Sequence, residues 1–310
     1  MTRAGFAAII GAPNAGKSTL VNRLVGSKVT IVTQKAQTTR FPVRGVAMEG
    51  KAQIVLVDTP GIFRPRRRLD RAMIRSAWSG AQDADAVVHV VDAESELAAA
   101  GPGSKAADRR AAEDVRTVIE GLKTAGRQAI LALNKIDRVR REDLLALTQR
   151  LFDTGAYGQV LMISALDGSG VDDLKRQLAA LMPESPWLYP EDQAADLPAR
   201  MLAAEITREK LYLRVHEELP YAASVETTAF EEHKNGAARI EQIIYVERES
   251  QRAILIGKSG QTLKWIGEAS RKELGDILGR TVHLFLTVKV KQNWAEARET
   301  YRDLGLDFDV

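Results

Sequence analysis

Along the first 182 residues, the hydrophobic and polar positions form strand-like and helix-like stretches in turn, which is typical of α/β proteins. Short apolar runs predict strands, and stretches with apolar residues on one helical face predict helices between them. The predicted strands lie near 5–10, 43–49, 52–58, 85–92, 128–134 and 159–164. The predicted helices lie near 17–25, 69–80, 108–125, 141–153 and 171–181. This order predicts a doubly wound, mostly parallel sheet, with one antiparallel strand because 48–51 reads as a hairpin turn.

Two stretches depart from this alternation. Residues 93–107 contain Gly101-Pro102-Gly103-Ser104 and are predicted to form a mobile loop. Prolines recur from 183 to 198, and because proline cannot sustain a helix, this stretch is predicted to be a linker. The first domain is therefore predicted to span 1–182.

The remaining part of the chain, 199–310, is predicted to be a second domain of the α+β class. Its predicted elements are a helix at 199–218, strands at 222–232 and 239–249 joined by a turn at 233–236, a helix at 262–278, a strand at 282–290 and a helix from 294. The last strand alternates apolar and mixed residues, which indicates one buried face.

Composition narrows the class of protein. A length of 310 residues suggests two domains or one large one, and a hydrophobic fraction of 45% is enough for packed cores. The chain has no cysteine, so disulfide frameworks and thiolate metal sites are excluded. We expect no signal peptide, because Met1 to Ala4 run straight into the first strand. We also expect no membrane-spanning helix, because no apolar run approaches the roughly 20 residues required.

A phosphate-binding loop is predicted directly after the first strand. Its residues are Gly11, Ala12, Pro13, Asn14, Ala15, Gly16, Lys17 and Ser18, with Thr19 next. Backbone N–H groups of such a loop converge on a phosphate, and the N-terminus of the following helix adds positive potential. Lys17 would reach the terminal phosphates and Ser18 would hold Mg²⁺. An ordinary glycine-rich turn does not explain why Lys and Ser follow the second glycine.

Three further segments, each at the end of a predicted strand, point to a guanine nucleotide. They are Asp58-Thr59-Pro60-Gly61, Asn134-Lys135-Ile136-Asp137 and Ser164-Ala165-Leu166. Asp58 can hold the Mg²⁺ water shell, and Gly61 can turn its N–H toward a γ-phosphate. The Asp137 carboxylate can accept from two donors that guanine has and adenine lacks. Ligands of open α/β sheets bind at the carboxyl ends of the strands, so these segments predict a GTP site.

The second domain carries a Gly-x-x-Gly turn, Gly257-Lys258-Ser259-Gly260, between an apolar run and a helix. Such a turn lets the backbone approach a nucleic-acid strand, as in KH modules; a helix-to-helix turn is the alternative interpretation. The stretch 252–291 holds eight basic and three acidic residues, so positive charge gathers around the turn. The candidate phosphate contacts are Lys258, Lys264, Lys289 and Lys291, with a solvated surface lysine as the alternative for each. Trp265 is a candidate for base stacking, with a partly buried aromatic as the alternative.

These motifs together resemble the Era family of bacterial GTPases, in which an Era/TrmE-like GTPase domain precedes a type II KH domain. The resemblance covers the whole chain and includes Gln37-Thr38-Thr39-Arg40, a trait of that family. It implies that the first switch consists of Gln37, Thr38, Thr39, Arg40 and Phe41. It implies Thr39 as the preferred Mg²⁺ ligand, with Thr38 as the alternative.

The resemblance also implies partners and a location. The KH domain of such proteins grips the 3′ end of 16S rRNA during maturation of the 30S ribosomal subunit, and no DNA partner is expected. A cytoplasmic location with some peripheral association at the inner membrane is implied as well. GTP, GDP and Mg²⁺ are the expected ligands.

The chemistry has one unusual position, Ile62, which directly follows Gly61. Many GTPases carry a glutamine there that orients the attacking water, and isoleucine has no donor or acceptor for that task. Era-like proteins share this apolar replacement. Catalysis is therefore assigned to Lys17, Gly61 and Asn14. In related GTPases an Asn at the position of Asn14 helps hold a K⁺ ion, so we expect slow hydrolysis that is faster in K⁺ than in Na⁺.

The predicted mechanism is a switch. GTP with Mg²⁺ would order residues near 33–41 and 59–70, hydrolysis would release them, and the KH domain would respond. The arginine run at 64–68 would touch RNA, donate a catalytic arginine or simply be solvated. Two other functions stay open: a P-loop kinase or ATPase with an accessory domain, and an RNA-binding protein whose nucleotide site is structural.

Overall fold

The structure is a computed structural model that describes residues 1–35, 37–233 and 236–310. The chain divides into two compact units. The first consists of Met1–Thr30, Thr39–Asp196 and Leu304–Val310, and the second of Ile31–Thr38 and Leu197–Asp303. Each unit therefore includes a short segment from a distant part of the chain.

The first unit is a sheet covered by helices on both faces. Within the described residues its strands are β1 (Arg3–Ile10), β2 (Val43–Glu49), β3 (Ala52–Asp58), β4 (Ala86–Asp92), β5 (Ala129–Asn134), β6 (Tyr157–Met162) and β7 (Ala195–Asp196). Its helices are α1 (Lys17–Val25), α2 (Arg68–Asp83), α3 (Ala93–Ala100), α4 (Ala106–Thr124), α5 (Arg141–Phe152) and α6 (Val171–Leu181), with a short 3₁₀ turn at Ile136–Arg138.

The strand order of this sheet is β6-β5-β4-β1-β3-β2-β7. The strands from β6 to β3 run parallel, whereas β2 is antiparallel to β3 as the predicted hairpin requires. Asp58 lies opposite Ile9, and Asn134 lies opposite Asp92, so four strand ends meet along one edge. Because one apolar cluster fills each face of the sheet, this edge is held rigidly. The predicted α/β doubly wound class is confirmed.

The prediction of a mobile loop at 93–107 is wrong in its first half. Helix α3 begins at Ala93, and the Asp92 carboxylate accepts from the N–H of Ser95 at 3.2 Å as an N-cap. Ala93 is fully buried, so the helix packs as part of the core. The glycines and proline end this helix at Gly101, and that local signal outweighed the helix-forming alanines before it.

Of the proline-rich stretch predicted as a linker, the residues as far as Asp196 belong to the first unit. Gln53 of β3 accepts from the N–H groups of Leu188 and Tyr189 at 2.8 and 2.9 Å. Gln53 also donates to the carbonyl of Tyr189 at 2.8 Å, and β7 pairs with β2. These contacts use backbone groups that a proline-rich segment cannot satisfy within a helix.

The second unit packs helices on one face of a sheet of order β10-β9-β8. Its described elements are α7 (Ala199–Arg214), β8 (Ala223–Glu232), β9 (Ala238–Val246), α8 (Glu249–Ile256), a 3₁₀ turn at Lys258–Gly260, α9 (Gln261–Leu278), β10 (Val282–Val290), a 3₁₀ turn at Trp294–Glu296 and α10 (Arg298–Asp303). β8 and β9 are antiparallel, and β9 and β10 are parallel.

Three predicted boundaries in this unit shift. The strand predicted at 239–249 ends at Val246, and α8 begins at Glu249. α7 ends at Arg214 rather than at 218, and the predicted helix from Trp294 is a 3₁₀ turn followed by α10. Trp294 is buried and donates its indole N–H to the carbonyl of Ala222 at 2.9 Å, so tertiary packing holds this turn. Lys234 and Asn235 of the predicted turn at 233–236 lie outside the described residues. Across the part of the chain that is described, no helix is both long and apolar enough to cross a bilayer.

Candidate functional site

The loop between β1 and α1 is closed around the side chain of Lys17. Its Nζ donates to the carbonyls of Gly11 and Ala12 at 3.1 and 2.8 Å, and the side chain is buried. Burial lowers the pKa of Lys17 to about 8, although the nearby Asp58 charge opposes this shift. The residue before the helix, Gly16, adopts φ +98°, a left-handed conformation that side chains rarely adopt. The loop thus presents a cation and a helix N-terminus at one point.

Three hydroxyl groups converge on one oxygen of Asp58. Oδ2 accepts from Ser18 Oγ at 2.7 Å, from Thr30 Oγ1 at 2.8 Å and from Thr39 Oγ1 at 3.3 Å. Burial raises the pKa of Asp58, while these hydrogen bonds and the charge of Lys17 act in the opposite direction. The other oxygen, Oδ1, is buried and has no hydrogen-bond partner among the described residues.

This oxygen cluster fits a Mg²⁺ ion. Carboxylate and hydroxyl oxygens are the hard ligands that Mg²⁺ prefers. A buried carboxylate oxygen normally has a hydrogen-bond donor or a cation beside it, so Asp58 Oδ1 can take such a partner. Ser18 and Thr39 also lie 3.1 Å apart, so the two hydroxyls and Asp58 meet at one place. Thr38 points elsewhere: its Oγ1 donates to the carbonyl of Lys35 at 2.8 Å. The geometry therefore favours Thr39 over the alternative ligand, Thr38.

Asn134 joins the loops at the strand ends. Its Nδ2 donates to the carbonyl of Ala15 at 2.8 Å, and its Oδ1 accepts from the N–H of Ala165 at 2.9 Å. A Cβ atom on Gly16 would lie 2.3 Å from Asn134 Nδ2, so glycine is required where this amide crosses the loop. Three predicted segments are thereby held together by one buried side chain.

The segments predicted to bind a base lie beside this amide. Lys135 has φ +65° and forms an ion pair with Asp92, while Asp137 lies exposed in the 3₁₀ turn that follows β5. Ser164 is buried and accepts from the N–H of Asp167 at 3.3 Å, whereas Leu166 is 66% exposed. A surface pocket of about 310 Å³ is lined in part by Thr19, Ala165 and Leu166.

The residues after Asp58 are packed rather than exposed. Thr59 Oγ1 donates to the carbonyl of Ile9 at 2.7 Å, and the N–H of Ile62 donates to the carbonyl of Gly11 at 3.0 Å. Ile62 is fully buried in the core, so its side chain serves packing. The turn formed by Pro60 and Gly61 is therefore fixed to β1 at one end and to the phosphate loop at the other. Asn14 is exposed, with φ +62°.

The segment 31–38, which leads into Thr39, belongs to the second unit and lies against α7. Ile31 is buried in the apolar cluster of that unit. Glu209 Oε1 accepts from the N–H of Val32 at 2.9 Å, and Arg208 donates to the carbonyl of Thr38. Arg208 and Glu209 are both buried, so two buried charged side chains of α7 contact the backbone of this segment.

The other predicted switch residues lie on either side of the boundary between the two units. Tyr212 Oη donates to the carbonyl of Gln37 at 3.4 Å. Arg40 and Phe41, on the other side of Thr39, are buried in the first unit. The predicted switch residues 37–41 are thus divided between the two units.

The Gly-x-x-Gly turn of the second unit lies between α8 and α9. Gly257 has φ +75°, and a Cβ there would lie 2.3 Å from Thr262 Oγ1, so this position requires glycine. Ser259 and Gly260 also have positive φ values of 52° and 77°. This backbone turns sharply and leaves the Lys258 side chain exposed.

The remaining candidate RNA contacts are basic side chains near this turn and on β10. Lys264 and Lys289 are exposed, while Lys291 lies 5.5 Å from the ring centre of Tyr245 and 3.4 Å from Glu299. Trp265 is 39% exposed, with the Arg214 guanidinium 5.6 Å from its ring centre.

Sequence reasoning missed several residues of these sites. Thr30 carries no pattern that marks it, because its role depends on a contact with a strand 28 residues away. Arg208 and Glu209 could have been found from the sequence by their positions on the predicted helix. Charged residues at buried positions of a predicted amphipathic helix require partners, and α7 carries both at positions that the structure buries.

Comparison with known proteins decides the family. The chain is 71% identical over 309 residues to the GTPase Era of Caulobacter vibrioides strain NA1000/CB15N, covering 100% of this chain and 98% of that protein. It is 60% identical over 308 residues to the GTPase Era of Maricaulis maris, covering 99% and 98% respectively. The chain belongs to the GTPase Era family.

Two family models match separate parts of this Era-family chain. One described as "50S ribosome-binding GTPase" matches residues 6–135, and one described as "KH domain" matches residues 218–295. A crystal structure of Era with MgGDPNP and nucleotides 1506–1542 of 16S ribosomal RNA is 36% identical, with a TM-score of 0.86 and coverage of 98% of this chain and 99% of that one. An Aquifex aeolicus Era variant bound to GDP·AlF₄⁻ gives the same identity, TM-score and coverage.

Proposed function

We propose that this chain binds GTP and Mg²⁺ at the edge where β1, β3, β5 and β6 end, and hydrolyses the nucleotide slowly. The observation that carries this proposal is Asp58, whose Oδ2 accepts three hydroxyls while Oδ1 is buried without a partner among the described residues. The proposed phosphate-loop contacts are Gly11, Ala12, Pro13, Asn14, Ala15, Gly16, Lys17, Ser18 and Thr19. The proposed remaining nucleotide contacts are Asp58, Thr59, Pro60, Gly61, Ile62, Asn134, Lys135, Asp137, Ser164, Ala165 and Leu166.

Catalysis in this proposal rests on charge and backbone groups. Lys17 exchanges its two carbonyl partners for phosphate oxygens, and its buried position strengthens the attraction. Ser18, Thr39 and Asp58 hold the Mg²⁺ ion and its water shell, and the ion neutralises charge on the β- and γ-phosphates. Gly61 offers its N–H to the γ-phosphate, since the adjoining Ile62 side chain is committed to the core. Asn14 is proposed to help hold K⁺.

The second unit is proposed to bind the 3′ end of 16S rRNA and to act in assembly of the 30S subunit. Support comes from the relative that carries this RNA and from the sharply turned backbone at Gly257 to Gly260. Lys258, Lys264, Lys289 and Lys291 are the proposed phosphate contacts. We retain 1–182, 183–198 and 199–310 as the proposed GTPase domain, linker and RNA-binding domain. A cytoplasmic location with peripheral inner-membrane association is part of the same proposal.

Segment 31–38 is proposed to carry the signal between nucleotide and RNA. Its last residue adjoins Thr39, the proposed Mg²⁺ ligand, while Arg208 and Glu209 of α7 hold its backbone. A γ-phosphate that draws Thr39 inward would pull on these contacts. Linkage then requires that RNA binding change GTP affinity by the same factor.

The deciding experiment measures RNA affinity of the full chain in its GTP-analogue and GDP states. We expect the two affinities to differ. We expect Arg208→Gln to reduce that difference, whereas Arg200→Gln, at an exposed position of the same helix, should leave it unchanged. Equal affinities with negligible hydrolysis would favour a structural nucleotide site. Preference for ATP over GTP in a competition assay would favour the kinase or ATPase alternative.

A further inference from the structure

An arginine-rich surface lies on α2 and the residues before it. Arg64, Arg66, Arg67, Arg68, Arg71 and Arg75 fall within twelve residues, and we call them the arginine surface. The acidic residue among them, Asp70, is buried and accepts from the N–H groups of Arg66 and Arg67 at 2.9 and 3.0 Å. Asp70 therefore caps the helix. The arginines of the surface except Arg68 are exposed, so the solvent side of this stretch is strongly positive.

The C-terminal segment of the chain lies on part of this surface. Leu304–Val310 belongs to the same compact unit as α2. Arg75 Nη1 lies 3.3 Å from Asp307 Oδ2 and donates to the carbonyl of Asp309 at 3.3 Å. Arg71 Nε donates to the carbonyl of Val310 at 3.5 Å. The segment thus places the Asp307 carboxylate against Arg75 and main-chain oxygens against Arg71 and Arg75.

An aromatic contact completes this arrangement. The Arg68 guanidinium lies 4.5 Å from the ring centre of Phe308. Residues 68, 71 and 75 share one helix face, because positions three and four apart are neighbours on a helix. The tail therefore covers that face, whereas the side chains of Arg64, Arg66 and Arg67 are exposed beside it.

These contacts are of a kind that a competing anion can replace. The side chains of Arg75 and Asp307 are 61% and 53% exposed, and ion pairs so open to water contribute little to stability. The contact from Arg71 Nε to the main-chain oxygen of Val310 is long, at 3.5 Å. A chain of phosphates would offer Arg71 and Arg75 charged, bidentate partners.

We propose that the arginine surface binds RNA phosphates and that the tail, residues 304–310, is an acidic cover that competes with them. This proposal depends on the proposed function in one respect, which is that RNA is taken as the polyanion that binds. RNA is favoured over a lipid surface because a membrane-binding helix needs an exposed apolar face. On α2 the residues Leu69, Ala72 and Met73 are buried in the core, and arginines occupy the outer side.

The test measures binding of a short labelled RNA duplex to the full-length protein by anisotropy across a salt series. A duplex is used because the KH turn clamps single strands, so the readout is separate from that site. Asp307→Asn with Asp309→Asn weakens the cover without shortening the chain. We expect affinity to rise by about threefold or more, and the salt slope to steepen by about one, because each new phosphate contact adds about one unit.

Matched controls separate this effect from net charge. Asp172→Asn with Asp173→Asn makes the same charge change at exposed positions of α6 and should leave duplex binding nearly unchanged. Adding Arg71→Gln and Arg75→Gln to the tail variant should abolish the gain, whereas adding Arg140→Gln and Arg141→Gln on the α5 side should not.

Three results would overturn the proposal. These are an equal gain in the α6 control, no gain in the tail variant, and a gain confined to vesicles of anionic phospholipid with duplex binding unaltered. The proposed function is judged separately, because GTP hydrolysis and single-strand RNA binding by the wild-type chain are measured alongside. Absence of both activities in the wild type, with the duplex effect intact, would contradict the proposed function alone.

Discussion

The side-chain amide of Asn134 donates to the carbonyl of Ala15 at 2.8 Å, so the end of β5 is tied directly to the phosphate loop. The same amide group accepts from the N–H of Ala165. One buried residue thereby sets the distance between the proposed phosphate and base contacts. This arrangement leads to the first of five predictions.

Replacing Asn134 by alanine should weaken GTP and GDP to the same extent, by about tenfold or more. The reason is that the change leaves a buried carbonyl and a buried N–H without partners, at about 1–3 kcal/mol each. Nucleotide affinity can be measured by fluorescence titration, with Gln149→Ala, an exposed amide deletion on α5, as the control. Unaltered GDP affinity in the Asn134 variant would show that the amide does not organise the site.

Replacing Asp137 by asparagine should weaken guanine nucleotides and admit xanthine nucleotides. The carboxylate accepts from two donors of guanine, whereas an amide supplies a donor for the additional carbonyl of xanthine. The measurement is competition between GTP and XTP, and Asp143→Asn on α5 makes the same chemical change elsewhere. A base preference that does not move would remove Asp137 from the base site.

Replacing Thr30 by valine should cost about 1 kcal/mol of stability and lower the affinity for Mg²⁺·GTP several-fold. Thr30 donates to Asp58 Oδ2 at 2.8 Å, and without that bond the carboxylate is less firmly oriented. Urea unfolding measures the loss of stability, and GTP titrations with and without Mg²⁺ measure the loss of affinity. Thr117→Val, which removes a hydroxyl from the exposed side of α4, should have neither.

Hydrolysis by the wild-type chain should be faster in K⁺ than in Na⁺ at matched ionic strength. Asn14 lies exposed at the phosphate loop, where its oxygen is proposed to hold K⁺ and so to supply positive charge near the phosphates. Asn14→Ala should therefore lower the rate in K⁺ and leave the rate in Na⁺ nearly unchanged. Equal wild-type rates in the two salts would contradict this role.

The buried His89 should make the protein less stable in mild acid. Burial, followed by the Lys17 charge, lowers the pKa of His89 from 6.5 to about 3, so between these values the unfolded chain binds a proton that the folded chain does not. Stability attributable to His89 is therefore lost as pH falls below 6.5. The slope is at most about 1.4 kcal/mol per pH unit.

Urea unfolding from pH 7 to pH 4 measures this slope. His89 Nδ1 lies 2.8 Å from Tyr157 Oη, so the informative variant replaces both residues by phenylalanine and leaves neither polar group alone. The double variant should lose less stability over this range than the wild type. Parallel stability curves for the two proteins would show that His89 is not the group responsible.

Most of the first unit could be predicted from the sequence, because strand length, helix period and strand-end motifs are local properties. The segments at 11–18, 58–61, 134–137 and 164–166 each stand next to an apolar run, and a parallel sheet brings such strand ends to one edge. The failure at α3 has a local cause as well. Two glycines and a proline marked a loop, although the alanines before them form a helix.

What the sequence determined by itself is the set of chemical groups and the edge of the sheet where they meet. Only the tertiary structure decided which hydroxyls reach Asp58, that segment 31–38 lies on α7, and that residues 304–310 lie on α2. The physical reason is range. Helix and strand patterns repeat within a few residues, whereas these contacts join residues far apart in the chain, and their partners exist only once the core has packed.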